Sequence, residues 1–387
     1  MIAIIADDLT GAAEVAGVCL RYGLKVAFGV NTLPSDAADA WVIATDSRSV
    51  SSAEACKISH DLAVALKDAG ISEVFKKTDS VIRGHIVDEL TELMAVFGLD
   101  KAVLQTANPA TGRCVRNGIY YVSGKALHET SFALDPDFPA FSSSVEELLV
   151  KRSERKMNIQ TKAVSFEATG INVPDCFSEK DLKSCISNQL INCIYAGSAA
   201  FFAAYLEVMH GFDVKPNMNN ASLINKRFLM ICGSMHAQSH EFLKKVAQNG
   251  IKVCAFPECL LTEITNENDI MNWAGELADF WKKEGRMILT LGNKSIQFEN
   301  SSKVLKERMA LVLQSILEKC EIDELFIEGG ATTFAVLLKQ GWISLVPVQE
   351  FSPGVVRMKV SQGSNLYLTM KPGSYLWPKT ILNYIIN

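Results

Sequence analysis

The chain has few features that mark metal sites, disulfide scaffolds or membrane segments. Its ten cysteines are scattered and include no CxxC pair, and Cys254 and Cys259 have no histidine cluster beside them. This pattern indicates neither a zinc site nor a disulfide framework, so a reduced, cytoplasmic setting is expected. No apolar run approaches the roughly 20 residues of a membrane-spanning helix. The apolar run at residues 1–6 is too short for a signal peptide and has no basic leader.

The chain also has no excess of basic charge. The formal net charge is −5 at pH 7, which argues against a nucleic acid or a membrane surface as partner. A small anionic ligand would therefore have to be held by a local basic pocket. The sequence does not determine the oligomeric state, and a homo-oligomer is possible.

Four common enzyme signatures are missing. There is no GxGxxG, which weakens the case for a Rossmann dehydrogenase, and no Walker A motif. HExxH and GxSxG are also absent, so neither a zinc protease helix nor a nucleophile elbow is indicated.

What the chain does have is the length and pattern of two globular domains. It contains 387 residues, of which 48% are hydrophobic and 21% charged, an ordinary globular balance for about two domains. Apolar, strand-like runs alternate with amphipathic segments in both halves. This alternation predicts two α/β domains with mainly parallel, helix-covered sheets. A polar, Asn-rich stretch at 210–226 reads as a linker, so the domains are placed at 1–215 and 226–387.

Polar clusters follow the predicted strands of the first half, where each strand ends. They are Asp7-Asp8, Asp46-Ser47-Arg48, residues 77–83 and residues 108–113. In open α/β sheets, ligands bind at the carboxyl ends of the strands, so four clusters at one edge predict a ligand site. Each cluster also has a structural alternative. Asp8, Asp79 or Ser80 could cap a helix, and Arg113 could be a surface charge.

The densest cluster lies within Lys76–His85, at the junction between a predicted strand and a predicted helix. Free backbone N–H groups and the positive end of the helix favour anions at such a junction. With two lysines, an arginine, an aspartate and a serine, the stretch predicts a socket for a small, acidic, hydroxylated molecule.

Two glycine turns in the second half are candidates for a phosphate cradle. Gly233-Ser234 and residues 329–332, Gly-Gly-Ala-Thr, each follow a predicted strand and precede a helix. Glycines let backbone N–H groups approach an anion closely, and Thr332 can add a hydroxyl donor. Taken singly, such turns are more often purely structural.

The motifs together resemble those of the four-carbon acid sugar kinases, two-domain enzymes that use ATP to phosphorylate threonate, erythronate or 2-oxo-tetronate. The similarity spans nearly the whole chain. It lies in Ala6-Asp7-Asp8-Leu9-Thr10-Gly11-Ala12, Asp46-Ser47-Arg48, Lys76-Lys77-Thr78-Asp79-Ser80, Arg83-Gly84, Gly112-Arg113, Gly197-Ser198, Gly233-Ser234, Gly329-Gly330-Ala331-Thr332, Pro353-Gly354 and Lys371-Pro372-Gly373. The resemblance implies an N-terminal substrate-binding domain and a C-terminal nucleotide-binding domain, with ATP and Mg²⁺ as cofactors.

The resemblance also implies a substrate site made of Asp8, Arg48, Lys77, Thr78, Asp79, Ser80 and Arg83. Arg48 and either Lys77 or Arg83 would bind the carboxylate of the acid, since arginine can do so bidentately. The aspartates and Ser80 would contact its hydroxyls.

Asp8 or Asp79 is implied as the residue that orients the attacking hydroxyl or acts as general base, and we favour Asp8. The implied nucleotide site consists of Ser234, Gly329, Gly330, Ala331, Thr332 and Gly373. The metal ligands cannot be read from the sequence.

Several positions depart from the family pattern: Val81-Ile82, His85, Asn108 and Ala331, the last in place of an acidic residue. These changes bear on the substrate and the nucleotide rather than on the fold. Two alternatives follow. A sugar-acid hydrolase or isomerase would turn over without ATP, and a non-catalytic ligand-binding protein would not turn over at all.

Overall fold

Strands and helices alternate in both halves of the chain, which confirms the predicted α/β class with mainly parallel sheets. The computed structural model describes residues 1–387 except 136, 163–165, 167, 188, 189, 191, 216–222, 224–226, 235, 293–297, 363, 364 and 387. It divides into two units, Met1–Pro216 (unit 1) and Asn217–Asn387 (unit 2). Of the predicted linker, residues 216–222 and 224–226 lie outside the described residues.

Unit 1 contains, within its described ranges, a parallel sheet of eight strands. In spatial order they are β2 (Val26–Val30), β3 (Ala40–Ala44), β1 (Ile2–Ala6), β4 (Glu73–Lys77), β11 (Cys193–Gly197), β5 (Lys101–Gln105), β10 (Gly170–Val173) and β9 (Ile159–Thr161). Strand β1 is apolar and buried along its whole length, as expected for a parallel strand covered on both faces.

The α-helices described in unit 1 are α1 (Leu9–Arg21), α2 (Ser52–Asp68), α3 (Ile86–Phe97), α4 (Val145–Lys151), α5 (Glu179–Ser184) and α6 (Ala199–His210). Their ends follow local rules. The Asp8 side chain accepts the N–H of Gly11 where α1 begins, and left-handed Gly98 ends α3. Leu62 of α2 and Leu90 of α3 bury their side chains in one core cluster with Ile5 of β1.

A small antiparallel sheet follows β5. It consists of β6 (Arg113–Arg116), β7 (Ile119–Val122) and β8 (Lys125–Ala126). Strands this short carry no periodicity that a sequence pattern can reveal. The described part of residues 132–187 contains α4, α5, β9 and β10.

Unit 2 is built on a second, mainly parallel sheet. In spatial order its strands are β13 (Val253–Ala255), β14 (Arg286–Thr290), β12 (Phe228–Cys232), β15 (Glu324–Glu328), β18 (Tyr367–Lys371), β17 (Val355–Val360) and β16 (Ser344–Ser352). Only β17 runs antiparallel to its neighbours among the strands described here.

The α-helices of unit 2, as far as the chain is described, are α7 (Ala237–Gln248), α8 (Glu267–Glu284), α9 (Ser301–Leu317), α10 (Gly330–Gln340) and α11 (Lys379–Ile386). Leu243 of α7 and Ile381 of α11 share a core cluster with Phe326 of β15. In the described parts of both units, no helix combines the length and apolar character that crossing a bilayer requires.

Candidate active site

The register of the parallel strands brings the predicted polar clusters of unit 1 to one edge of its sheet. Ala6, the last residue of β1, lies opposite Ala44 of β3 and Lys77 of β4. Gly197 at the end of β11 lies opposite Lys77 and Gln105. The segments that follow these strands therefore start level with one another, at the edge where open α/β sheets bind ligands.

Arg48 is the centre of the site. Its Nε and Nη2 donate to Oδ2 and Oδ1 of Asp7 at 2.8 and 2.9 Å, a bidentate pair. Its Nη1 lies 3.3 Å from Oδ2 of Asp8 and 3.5 Å from Oδ1 of Asp79. One guanidinium thus holds three carboxylates from two separate loops. The site prediction had omitted Asp7, although the paired acids after β1 were the signal that could have revealed it.

Arg83 forms a second ion-paired centre with Asp79. Its Nε and Nη2 lie 3.1 and 2.8 Å from the two carboxylate oxygens, and its Nη1 lies 2.9 Å from Oδ2 of Asp135. Asp79 also accepts the backbone N–H of Val81 at 2.9 Å. Helix α3 begins only at Ile86, so the alternative in which Asp79 or Ser80 caps that helix is wrong. No sequence signal pointed to Asp135.

The pKa values of the three carboxylates around Arg48 are shifted in different directions. Burial alone would raise the pKa of Asp79, but the charges of Arg48 and Arg83 outweigh it and hold that pKa far below its usual range. For Asp8, burial is likewise outweighed by Arg48 and Lys77, so its pKa is lowered. The pKa of Asp7 is raised, because its burial and the neighbouring charge of Asp8 exceed the effect of Arg48.

Asp8 is the most accessible of the three. Its side chain is 21% exposed, against 6% for Asp79 and 1% for Asp7. Besides its contact with Arg48, Asp8 accepts hydrogen bonds from the Thr10 hydroxyl at 2.5 Å and from the Gly11 amide at 2.9 Å. As a partly exposed carboxylate with a lowered pKa, Asp8 can still accept a hydrogen bond from a bound hydroxyl. Asp79 is more deeply buried and already accepts four hydrogen bonds from Val81 and Arg83.

The remaining predicted residues of unit 1 lie beside this centre. Lys77 Nζ donates to the carbonyl oxygen of Thr78 at 2.9 Å and lies 3.7 Å from Glu14 Oε2. The Thr78 hydroxyl is buried and has no hydrogen-bond partner among the described residues. The Ser80 hydroxyl accepts a hydrogen bond from Nη1 of Arg113 at 2.5 Å. Within the described structure, Arg113 forms no ion pair, so its charge is available to a ligand.

At two places where the sequence departs from the family pattern, Val81-Ile82 and His85, the side chains contact other parts of the protein. The side chains of Val81 and Ile82 are buried in the core cluster of unit 1. Ile82 has a φ of 64°, a strained conformation for a β-branched residue, and Arg152 donates a hydrogen bond to its carbonyl oxygen. His85 contacts the carbonyl of Val50 through Nε2 at 2.8 Å.

A buried ion pair holds the loop that carries Arg48 in place. Lys76 Nζ lies 2.8 Å from Glu89 Oε1, and both side chains are almost completely buried. Ser47, the residue before Arg48, donates its hydroxyl hydrogen to the same oxygen at 2.6 Å. Glu89 therefore ties the loop that carries Arg48 to strand β4 and helix α3.

Replacing Glu89 with Ala should strongly destabilise unit 1. Removing one partner of a buried pair leaves the other charge uncompensated, which costs about 3–5 kcal/mol. Urea unfolding at pH 7 measures this loss. Lys183→Ala is the control, since it removes an ion pair in which Lys183 is 54% exposed and should change the unfolding free energy by about 1 kcal/mol or less. Equal losses in both variants would contradict a supporting role for Glu89.

In unit 2, the three predicted glycine segments follow neighbouring strands. Gly233-Ser234 follows β12, Gly329 follows β15, and Pro372-Gly373 follows β18. The segments lie close together. A Cβ on Gly233 would come within 2.1 Å of Thr332 Oγ1, and one on Gly373 within 2.9 Å of Ser234 Oγ.

Backbone geometry explains why glycine is needed where α10 begins. Gly329 is the N-cap residue of α10. Its φ of 104° is a backbone conformation that residues with a side chain rarely adopt. The first turn of the helix, with Gly330, Ala331 and Thr332, presents N–H groups that have no partner within the helix. Such an end, together with the Ser234 hydroxyl nearby, is suited to bind phosphate oxygens.

Fold and site together define a two-unit α/β protein with a charged site at a sheet edge of unit 1 and glycine loops at a sheet edge of unit 2. Residues 2–205 match the sequence model of the sugar-binding N-terminal domain. The chain is 32% identical to the D-threonate kinase of Salmonella typhimurium, over 86% of this chain and 85% of that one. It is 26% identical to the D-erythronate kinase of Heliobacterium modesticaldum, over 87% and 84%.

A solved structure of a Haemophilus influenzae protein of the DUF1537 family has the same fold. The TM-score is 0.76 at 17% identity, and the match covers 99% of this chain and 98% of the other. The chain therefore belongs to the family of four-carbon acid sugar kinases with a sugar-binding N-terminal domain, as the resemblance of its motifs predicted.

Proposed function

We propose that this protein transfers the γ-phosphoryl group of ATP to a hydroxyl of a four-carbon sugar acid, bound in unit 1. The observation that carries this proposal is the cluster of Asp7, Asp8 and Asp79 around Arg48 at the sheet edge. Such a cluster offers hydroxyl acceptors beside fixed positive charge. The names of the relatives, D-threonate kinase and D-erythronate kinase, support the same class of substrate.

The carboxylate of the acid is assigned to Arg113 and Lys77. Arg48 and Arg83 already bind protein carboxylates, so they serve mainly to organise the site. Arg113 forms no such pair within the described residues, and its guanidinium contacts the hydroxyl of Ser80. Lys77 adds a second, almost fully buried positive charge at the end of β4.

Asp8 is the residue that receives the attacking hydroxyl. Its lowered pKa keeps it anionic, so it orients the hydroxyl and accepts its proton late in the transfer. This weak basicity is sufficient, because phosphoryl transfer depends mainly on positioning and charge stabilisation. The unpartnered hydroxyl of Thr78 and the hydroxyl of Ser80 can bond the remaining oxygens of the acid.

Unit 2 is assigned the nucleotide, with Ser234, Gly329, Gly330, Ala331, Thr332 and Gly373 around its phosphates. Mg²⁺ belongs to this proposal as a charge that offsets the phosphates. Among the described residues, no group of three His, Cys, Asp or Glu side chains could hold a metal ion. The chain's own hydroxyls of Ser234 and Thr332 fit a site in which phosphates supply most ligands.

An ATP-consumption assay with stereoisomers of threonate, erythronate and oxo-tetronate tests the function. ADP should form only in the presence of one or a few of these acids, and the phosphorylated acid should be detected by mass spectrometry. Chemical change of an acid without ATP would favour a hydrolase or isomerase. Binding of an acid with no turnover would favour a non-catalytic protein.

A further inference from the structure

One aromatic ring in unit 1 contacts two arginines of the charged site. The guanidinium carbon of Arg83 lies over the ring of Phe132, 5.9 Å from its centroid, and that of Arg113 lies 6.0 Å from the same centroid. The face of an aromatic ring attracts a cation at distances up to about 6 Å. The ring of Phe132 can therefore orient both guanidinium groups.

The two arginines differ in what else holds them. Arg83 is fixed by hydrogen bonds to the carboxylates of Asp79 and Asp135. Arg113 has no ion pair among the described residues, and its guanidinium donates a single hydrogen bond that the structure describes, to the Ser80 hydroxyl. A long side chain loses rotamer freedom when it is held in one orientation. The position of Arg113 therefore depends on the aromatic ring more than that of Arg83 does.

Phe132 is itself held firmly by its surroundings. It lies in the short 3₁₀ turn Ser131–Leu134, where its backbone N–H donates to Oγ1 of Thr130 at 3.3 Å. Its carbonyl oxygen accepts the N–H of Ala140 at 2.9 Å. Its side chain is partly buried against the core cluster of unit 1. The ring thus gives Arg113 a support that is fixed relative to the core.

We propose, on the basis of the sugar-acid site assigned to unit 1, that Phe132 is a positioning residue for the substrate. Its ring holds the guanidinium of Arg113 in the orientation that binds the carboxylate of the acid. Arginine binds a carboxylate best through two parallel hydrogen bonds, which require a defined orientation. The carboxylate does not react, so losing this orientation weakens the binding of substrate and transition state alike. Such a loss raises KM and leaves kcat nearly unchanged.

Replacing Phe132 with Leu tests this role, because leucine keeps an apolar side chain and lacks the aromatic face. KM for the acid should rise by about 2- to 30-fold, the range of a cation–π contact from exposed to desolvated. Both kcat and KM for ATP should stay near their wild-type values. Phe132→Tyr keeps the ring and should retain the wild-type KM. Phe177→Leu removes a 54% exposed ring of the same unit and should change neither constant.

A double-mutant cycle shows whether Phe132 acts through Arg113. Arg113→Met removes the guanidinium and should itself raise KM for the acid. In that background, Phe132→Leu should cause no further rise, since the group that the ring positions is gone. If the two factors multiply in the double variant, Phe132 acts independently of Arg113 and the inference is overturned. Where turnover is too slow, calorimetric titration with the acid measures the same cycle.

Failure of this inference can be told apart from failure of the proposed function. If wild-type protein neither binds nor phosphorylates any four-carbon acid, both are overturned. If Arg113→Met leaves KM for the acid unchanged while the acid is phosphorylated, the carboxylate assignment and this inference fail and the kinase activity stands. If Arg113→Met raises KM and Phe132→Leu does not, only this inference fails. Thermal melting identifies a variant that does not fold, and Phe132→Met then takes the place of Phe132→Leu.

Discussion

Replacing Arg48 with Ala lowers kcat/KM for the sugar acid by about 10²- to 10³-fold and leaves the affinity of unit 2 for ADP unchanged. Truncating one member of a buried, hydrogen-bonded charge pair costs about 2–5 kcal/mol, and Arg48 contacts three carboxylates. Without its guanidinium, Asp7, Asp8 and Asp79 repel one another, and Asp8 loses the position from which it receives the hydroxyl. Steady-state kinetics with the acid and ATP varied separately measure both effects.

Two further variants control this experiment. Arg48→Lys keeps the charge but cannot form the bidentate pair with Asp7, so most of the loss should remain. Arg155→Ala removes an arginine of the same unit that is 41% exposed, and it should retain nearly full activity. If Arg48→Ala raised KM for ATP as much as KM for the acid, the assignment of the acid to unit 1 would be contradicted.

The second large effect is expected at Gly233 in unit 2. An Ala side chain would meet Thr332 Oγ1 at 2.1 Å, so the segment after β12 and the first turn of α10 must move apart. Overpacking of this kind costs about 1–3 kcal/mol, which corresponds to a roughly 5- to 150-fold loss in kcat/KM for ATP. Binding of the acid alone to unit 1 should not change.

Gly275→Ala is the matched control for Gly233→Ala. Gly275 lies within α8, where the nearest atom to a new Cβ is the flexible end of Lys319 at 3.5 Å. Alanine is favoured over glycine in a helix interior by about 0.8–1 kcal/mol, so this variant should be at least as stable as wild type and fully active. A kcat/KM for ATP that is normal in Gly233→Ala would show that the loops around Thr332 do not hold the phosphates.

Much of the fold followed from the sequence because its signals are local. Short apolar runs that end in polar residues predicted the strands. In the structure, glycines such as Gly98 and Gly341 end helices in the left-handed conformation, which is again a local effect. The antiparallel sheet of β6, β7 and β8 was not predicted, because strands of two to four residues have no measurable period. That sheet nevertheless carries Arg113, whose guanidinium contacts Ser80.

The sequence alone was sufficient to predict which residue types gather at the strand ends, and that Asp8, Arg48 and Asp79 lie together there. Only the tertiary structure decided how their charges are distributed. Arg48 and Asp7 are 41 positions apart, and Arg83 and Asp135 are 52 apart. Ion pairing at such separations depends on how strands and loops pack, which local patterns do not encode. Packing therefore determines that Arg48 and Arg83 are paired within the protein, whereas Arg113 has no ion pair among the described residues. Arg113 is for this reason the arginine that we propose for the acid.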